Sequence, residues 1–137
     1  MKKILTFTTI TILLISLFTV AYASEDAERN DMGLRYTYIN NAMTAIGISS
    51  SGKATISNSI DCYSDVDKIT VSTYLQKNVN GTWTTLKHWT DTEYDNDYVG
   101  SHSYYVVSDN SYRALTYFYA YDGTQSESTS LTDYEDY

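Results

Sequence analysis

Residues 68–89 read KITVSTYLQKNVNGTWTTLKHW, and the fold turns on how they alternate. From Lys68 to Lys77, Ile69, Val71, Thr73 and Leu75 share one parity, and Thr70, Ser72, Tyr74 and Gln76 share the other. A period of two, with one apolar and one polar row, marks a half-buried β-strand. Asn80-Gly81 follows. This pair is the strongest short-range hairpin signal, because both residues accept the positive φ of the tight turn whose twist matches the flanking strands. Thr82 to Trp89 then reads as the return strand.

The same pattern extends in both directions. Upstream, Ala45–Ile48 and Lys53–Ser59 flank Ser49-Ser50-Ser51-Gly52, a turn signal. Ala54, Ile56, Ile60 and Cys62 share one face, which places Cys62 among apolar neighbours. Asn58 interrupts that row, and a bulge or strand break is the expectation there. Downstream, Tyr98–Val107 is a strand and Ser108-Asp109-Asn110-Ser111 a turn. Tyr112–Tyr121 (YRALTYFYAY) reads as the longest strand, aromatic on both faces, Asp122-Gly123 as a tight turn, and Thr124–Leu131 as a polar edge strand. Residues 132–137 read as a solvated acidic tail. Turn signals recur about every ten residues, and about seven strands result, as in an immunoglobulin-like antiparallel β-sandwich. The domain is expected over residues 34–131.

The chain has 137 residues, room for a single domain with a real core. Met1-Lys2-Lys3, an apolar run from Ile4 to Val20 and Ala21-Tyr22-Ala23 have the layout of a secretory signal peptide over residues 1–23. The apolar run is shorter than the roughly 20 residues a membrane-spanning helix needs. Residues 24–33 (SEDAERNDMG) read as a flexible acidic lead-in. Secretion to the extracellular space is therefore expected, with no membrane insertion after cleavage. Cys62 is the only cysteine, so no intrachain disulfide can staple the fold. Cleavage after Ala23 moves the formal charge from −8 to −10, because Lys2 and Lys3 are the only charged residues removed. Such a balance argues against nucleic acid and anionic lipid as partners.

Tyr112, Ala114, Thr116 and Phe118, then Asp122-Gly123, then Ser126-Glu127-Ser128 resemble the last two strands of fibronectin type III and related immunoglobulin-like domains. The resemblance implies a sandwich, with Tyr112 as a tyrosine corner whose hydroxyl bonds back to upstream backbone. More broadly, ISSSGKA (48–54), YLQKNVNGTW (74–83), Trp89 and the strand start at Ser111 are similar to a group of small exported β-sandwich proteins of Gram-positive bacteria. That resemblance implies a secreted β-sandwich without an assigned activity.

The residues offer little catalytic chemistry. His88 and His102 fall in different hairpins, with no H-E-x-x-H or H-x-H spacing. The serines near Gly47 and Gly52 lack the spacing of a nucleophile elbow, and no phosphate-binding glycine loop is present. A Cys62–His dyad stays open at this level, since such partners are distant in sequence. Asp91, Glu93, Asp95 and Asp97 are a weak calcium candidate: carboxylates at alternate positions could converge if the loop curls, but Asn96 occupies the position where an EF-hand loop has glycine. A solvated acidic loop is the simpler reading. No enzyme activity, cofactor or metal is expected.

Aromatic content is the positive signal. All but Tyr22 of the 15 tyrosines follow the signal segment, together with Trp83 and Trp89. On Tyr112–Tyr121 one row lines the core, and the other, with Tyr117, Tyr119 and Tyr121, covers a sheet face. Tyr74, Trp83, Trp89, Tyr117, Tyr119 and Tyr121 are the candidate binding residues, because flat exposed rings stack on sugars or anchor proteins at low entropy cost. Cross-strand pairing that stabilises a sheet lacking disulfides is the structural alternative. The expected function is a non-enzymatic extracellular binding module, for a protein or a cell-envelope glycan. The alternative is a small secreted bacteriocin-like antagonist, which the acidic charge disfavours.

Overall fold

The computed structural model describes residues 37–137; the signal segment (1–23) and lead-in (24–33) fall outside them. Seven antiparallel strands follow one another: β1 (Ile39–Ile48), β2 (Lys53–Cys62), β3 (Lys68–Val79), β4 (Thr82–Glu93), β5 (Asp97–Tyr105), β6 (Ser111–Tyr121) and β7 (Ser126–Asp136). They form two sheets, β1-β2-β5 and β4-β3-β6-β7. This is an all-β sandwich consistent with an immunoglobulin/fibronectin-III-like topology. β4 stays beside β3 instead of crossing to β5, so the larger sheet carries the tyrosine-corner strand.

Local sequence explains the elements. Asn80 and Gly81 have φ of 52° and 85°, as the primed two-residue turn between β3 and β4 requires. Ile69, Val71, Thr73 and Leu75 are all fully buried, and so are Ala114, Thr116, Phe118 and Ala120 of β6, their antiparallel partners. Tyr112 is buried, and its hydroxyl donates to the Val107 carbonyl at 2.6 Å and accepts from the Val107 N–H at 3.2 Å. The tyrosine corner is therefore formed.

Asn58 does not break β2. It pairs continuously with Thr44 on one side and Gly100 on the other, and its side chain is buried with the rest of its row. The break expected from polarity is absent because the amide is satisfied inside. Its Nδ2 donates to Thr73 Oγ1 at 2.8 Å, and its Oδ1 accepts from Thr116 Oγ1 at 3.1 Å and from Thr44. Thr44 and Thr116 also bond each other at 2.8 Å. This polar knot lies between two apolar clusters. One holds Ile39, Ile60, Cys62, Val71 and Phe118; the other holds Ile46, Ile56, Leu75, Tyr112 and Ala114.

The last residues are not a free tail. β7 runs to Asp136, and Tyr137 still exchanges backbone bonds with Asn110 at 2.9 and 3.0 Å. The acidic side chains at 133 and 135 alternate with Thr132 and Tyr134, so the segment keeps the strand period despite its charge. β7 also closes one side of the sandwich. Glu127 accepts the backbone N–H groups of Thr37, Tyr38 and Ile39 at 2.8–2.9 Å, and Asp133 accepts that of Ile46 at 2.9 Å. Burial pushes the Glu127 carboxyl up, but the three N–H bonds outweigh it and hold the group below its ordinary 4.5.

Two outcomes are expected. Asn58→Ala leaves three threonine hydroxyls short of a partner and lowers the unfolding free energy by about 3 kcal/mol, read from urea denaturation. Glu127, with its folded pKa depressed, stabilises the fold above pH 4.5, and that contribution disappears as pH falls through the lower folded value. Glu127→Gln is therefore less stable at pH 7 and shows a flatter acid limb in a plot of melting temperature against pH.

Candidate functional site

The register of the larger sheet decides which aromatic side chains share a surface. Directly opposite residues in an antiparallel pair lie on the same face. Lys68, Thr70, Ser72, Tyr74 and Gln76 of β3 oppose Tyr121, Tyr119, Tyr117, Leu115 and Arg113 of β6. Those β6 residues in turn oppose Ser126, Ser128, Ser130, Thr132 and Tyr134 of β7. This is the outer face, since the other row of β3 and β6 is the core.

β4 joins that face with a change of parity. Leu75 opposes Lys87, but Gln76 opposes Thr85, so Leu86 is an extra residue in a β-bulge. Trp83 and Trp89 have the same sequence parity, yet they point to opposite faces. Trp83 lies outside. Trp89 lies inside, packed on the cluster of Ile56 and Leu75 and stacked on His102 at 5.0 Å. Trp89 is therefore not part of the aromatic face, whereas Tyr74, Trp83, Tyr117, Tyr119 and Tyr121 are.

Two arrangements organise the outer face. Tyr74 stacks on His88 at 4.2 Å, with planes 6° apart, and Tyr117 meets Tyr74 edge-on at 6.1 Å. Tyr74 and His88 are direct cross-strand partners, so this stack also stabilises the sheet. Nearer the β3–β4 turn, the Trp83 ring lies 5.8 Å from Tyr134 and 4.6 Å from the Arg113 guanidinium carbon. Arg113 Nε donates to Gln76 Oε1 at 2.7 Å, and Gln76 Nε2 donates to Thr85 Oγ1 at 3.0 Å. Side chains from all four strands thus form one row. Tyr121 is engaged at the far end, with Lys68 Nζ 4.7 Å from its ring centre and its hydroxyl bonded to the Gly123 carbonyl.

Tyr117 and Tyr119 remain 37% and 43% exposed. With Ser72, Tyr74, Gln76, Thr85 and Leu115 they line a shallow depression of about 390 Å³. A second depression, of about 550 Å³, lies at the β3–β4 turn end of the sheet, where β6 begins and β7 ends, and is lined by Asn78, Asp109, Asn110, Ser111, Asp136 and Tyr137. His88, Arg113 and Tyr134 are not among the binding residues that the sequence pattern points to; His88 enters there only as a possible partner of Cys62. For Tyr134 the usable signal was alternation continuing through 126–136; for His88 and Arg113, it was register alone.

The acidic run is not gathered into one site. Asp91 and Glu93 extend β4, Asp95 accepts from the Asn96 N–H in the turn, and Asp97 opens β5 opposite Asp61. Among the described residues no three His, Cys, Asp or Glu side chains converge to hold a metal ion. Asp91 instead closes the second side of the sandwich. It accepts from the Tyr98 hydroxyl at 2.8 Å and contacts His102 Nε2 at 2.6 Å. Tyr98 reaches Asp91 by lying over Gly100, where a Cβ would sit 1.9 Å from the tyrosine oxygen. Burial, together with the bond to Asp91, pushes the Tyr98 phenol well above its ordinary range.

Cys62 is buried among Ile60, Val66, Ile69 and other apolar neighbours, away from both histidines. Burial, reinforced by the charge of Asp61, pushes its thiol up to about 11, which disfavours the thiolate a nucleophile needs. No protein-family profile matches the chain, and no curated protein is similar to it. The fold is a non-catalytic-looking all-β sandwich consistent with a binding-type module. In the native protein at pH 8, Cys62 is expected to stay unreactive towards a disulfide reagent and to react fully on denaturation, as followed by absorbance; rapid reaction of the folded chain contradicts its burial.

Proposed function

We propose that this protein is a secreted, non-enzymatic binding module whose contact surface is the outer face of the β4-β3-β6-β7 sheet. The export part of this reading rests on the signal layout of residues 1–23. The observation that carries the binding part is Tyr117 and Tyr119, successive residues of the outward row of β6 and partly exposed, over a depression edged by hydroxyl groups. Tyrosine rings projecting from a regular strand present a large flat area at little cost in side-chain freedom.

A cell-envelope glycan fits this surface better than a protein does. Ser72, Thr85, Ser128 and Ser130 surround the rings with groups that donate and accept hydrogen bonds, as a sugar requires. A protein interface of ordinary strength would need a wider apolar centre. The buried, high-pKa Cys62 supports the non-enzymatic part of the reading.

The experiment is retention of the purified protein on isolated cell walls. Tyr117→Ala/Tyr119→Ala is expected to lose most of the bound fraction, by about tenfold for roughly 1.4 kcal/mol of lost stacking, while the sandwich stays folded, as read from a cooperative melting transition above the assay temperature. Unchanged retention of a folded double variant refutes a role for this face.

A further inference from the structure

We propose that the outer face recognises a glycan in which a carboxylate-bearing sugar is set among neutral ones, and that Arg113 takes the carboxylate. This rests on the reading of that face as a glycan-binding surface and specifies its ligand.

Arg113 is the only arginine among the described residues. The whole chain has 17 Asp and Glu against 9 Lys and Arg, so an arginine without an acidic partner is unexpected. Yet among the described residues no lysine or arginine side chain pairs with a carboxylate; the one contact of that kind is between His102 and Asp91. Arg113 is held by neutral groups: Gln76 at Nε and the Trp83 ring under the guanidinium. Stacking occupies the flat face of the fork and leaves its in-plane Nη donors for a ligand. An arginine oriented in this way is preorganised for a bidentate carboxylate, because little side-chain freedom is left to lose.

The distribution of charge points the same way. The acidic residues of these four strands are Asp91, Glu93, Glu127, Asp133, Glu135 and Asp136. By register all but Asp136 are on the inward row. Among strand residues the outer face carries Lys68 and Arg113 against that single carboxylate, and Asp109 joins Asp136 only at the far depression, so around Arg113, Tyr117 and Tyr119 an acidic protein presents a surface that does not repel an anion. Net charge argued against polyanions, and this local balance allows only spaced charges.

Position completes the argument. By register, the Trp83–Gln76–Arg113–Tyr134 row lies between the two depressions. From Ser72 to Asn78 the face runs about 20 Å at roughly 3.3 Å per residue, enough for several linked sugar rings. Tyr117 lies about 13 Å from Arg113 along β6 at roughly 3.3 Å per residue, so a carboxylate on Arg113 places a sugar ring further along the same oligosaccharide over Tyr117.

The test is calorimetric titration of the secreted protein with three hexasaccharides. These are hyaluronan (alternating glucuronate and N-acetylglucosamine), the same hyaluronan with its carboxylates reduced to alcohols, and the neutral N-acetylglucosamine hexamer. Hyaluronan is expected to bind about tenfold more tightly than its reduced form, the size of one charge-assisted contact. That preference is expected to shrink with added salt, to fall in Arg113→Lys and to vanish in Arg113→Gln. Equal affinity of the unaltered protein for hyaluronan and its reduced form, or no binding of any of the three, overturns the proposal. Altering the ligand keeps this result independent of any folding defect in the variants. Cell-wall retention separates the two readings. Retention that survives Arg113→Gln but is lost in Tyr117→Ala/Tyr119→Ala overturns the carboxylate proposal alone. Retention that survives both overturns the binding face as well.

Discussion

The hydrogen-bonded knot of Asn58 with Thr44, Thr73 and Thr116 is the constraint on which the sandwich depends. It ties β1, β2, β3 and β6, from both sheets, at one level of the core. A buried amide is costly unless every partner is in place, so only one mutual register of these four strands satisfies it. A slip of one residue in β2 would turn Asn58 to solvent and leave three threonine hydroxyls without it. Apolar clusters above and below supply the bulk of the burial, but Ile, Val and Ala rows would tolerate several registers. In a chain with one cysteine, this polar layer does the specifying that a disulfide does elsewhere.

Because β3 and β6 are held in register, the outer rows of the larger sheet are held too. The carboxylates contribute from the opposite side. Glu127 and Asp133 accept backbone N–H groups of β1, and Asp91 receives Tyr98 and His102 of β5, so acidic groups close both lateral seams of the sandwich. These interactions blunt edges that would otherwise offer unpaired N–H groups to other chains. They also draw negative charge to the inward row. The outer face is left with hydroxyls, rings, two cations and the one carboxylate of Asp136 at its end, which is the chemical basis for reading it as a binding surface.

Much of this was legible along the chain. The β3–β4 hairpin, the buried parity of β2, β3 and β6, the Tyr112 corner and the burial of Cys62 are all local patterns that tertiary packing did not override. The aromatic face was legible in part: Tyr117, Tyr119 and Tyr121 share a parity that survives because β6 is regular. Trp89 shares sequence parity with Trp83 but turns inward, because one extra residue, Leu86, inverts the facing between them, and nothing in the residue types announces a bulge. Asn58 read as an interruption because its partners lie 14, 15 and 58 residues away. The 132–137 segment read as a tail because its charge concealed its alternation.

The sequence by itself determined the class of fold, the strand order along the chain and which rows are apolar, because period-two patterning and turn chemistry act over a few residues. Only the tertiary structure decided which polar groups are inside, which aromatic rings share a surface, and that Arg113 stands on Trp83 without a carboxylate beside it. Those outcomes depend on register between distant strands, and register is set by the simultaneous satisfaction of buried hydrogen bonds, which no short window of residues contains.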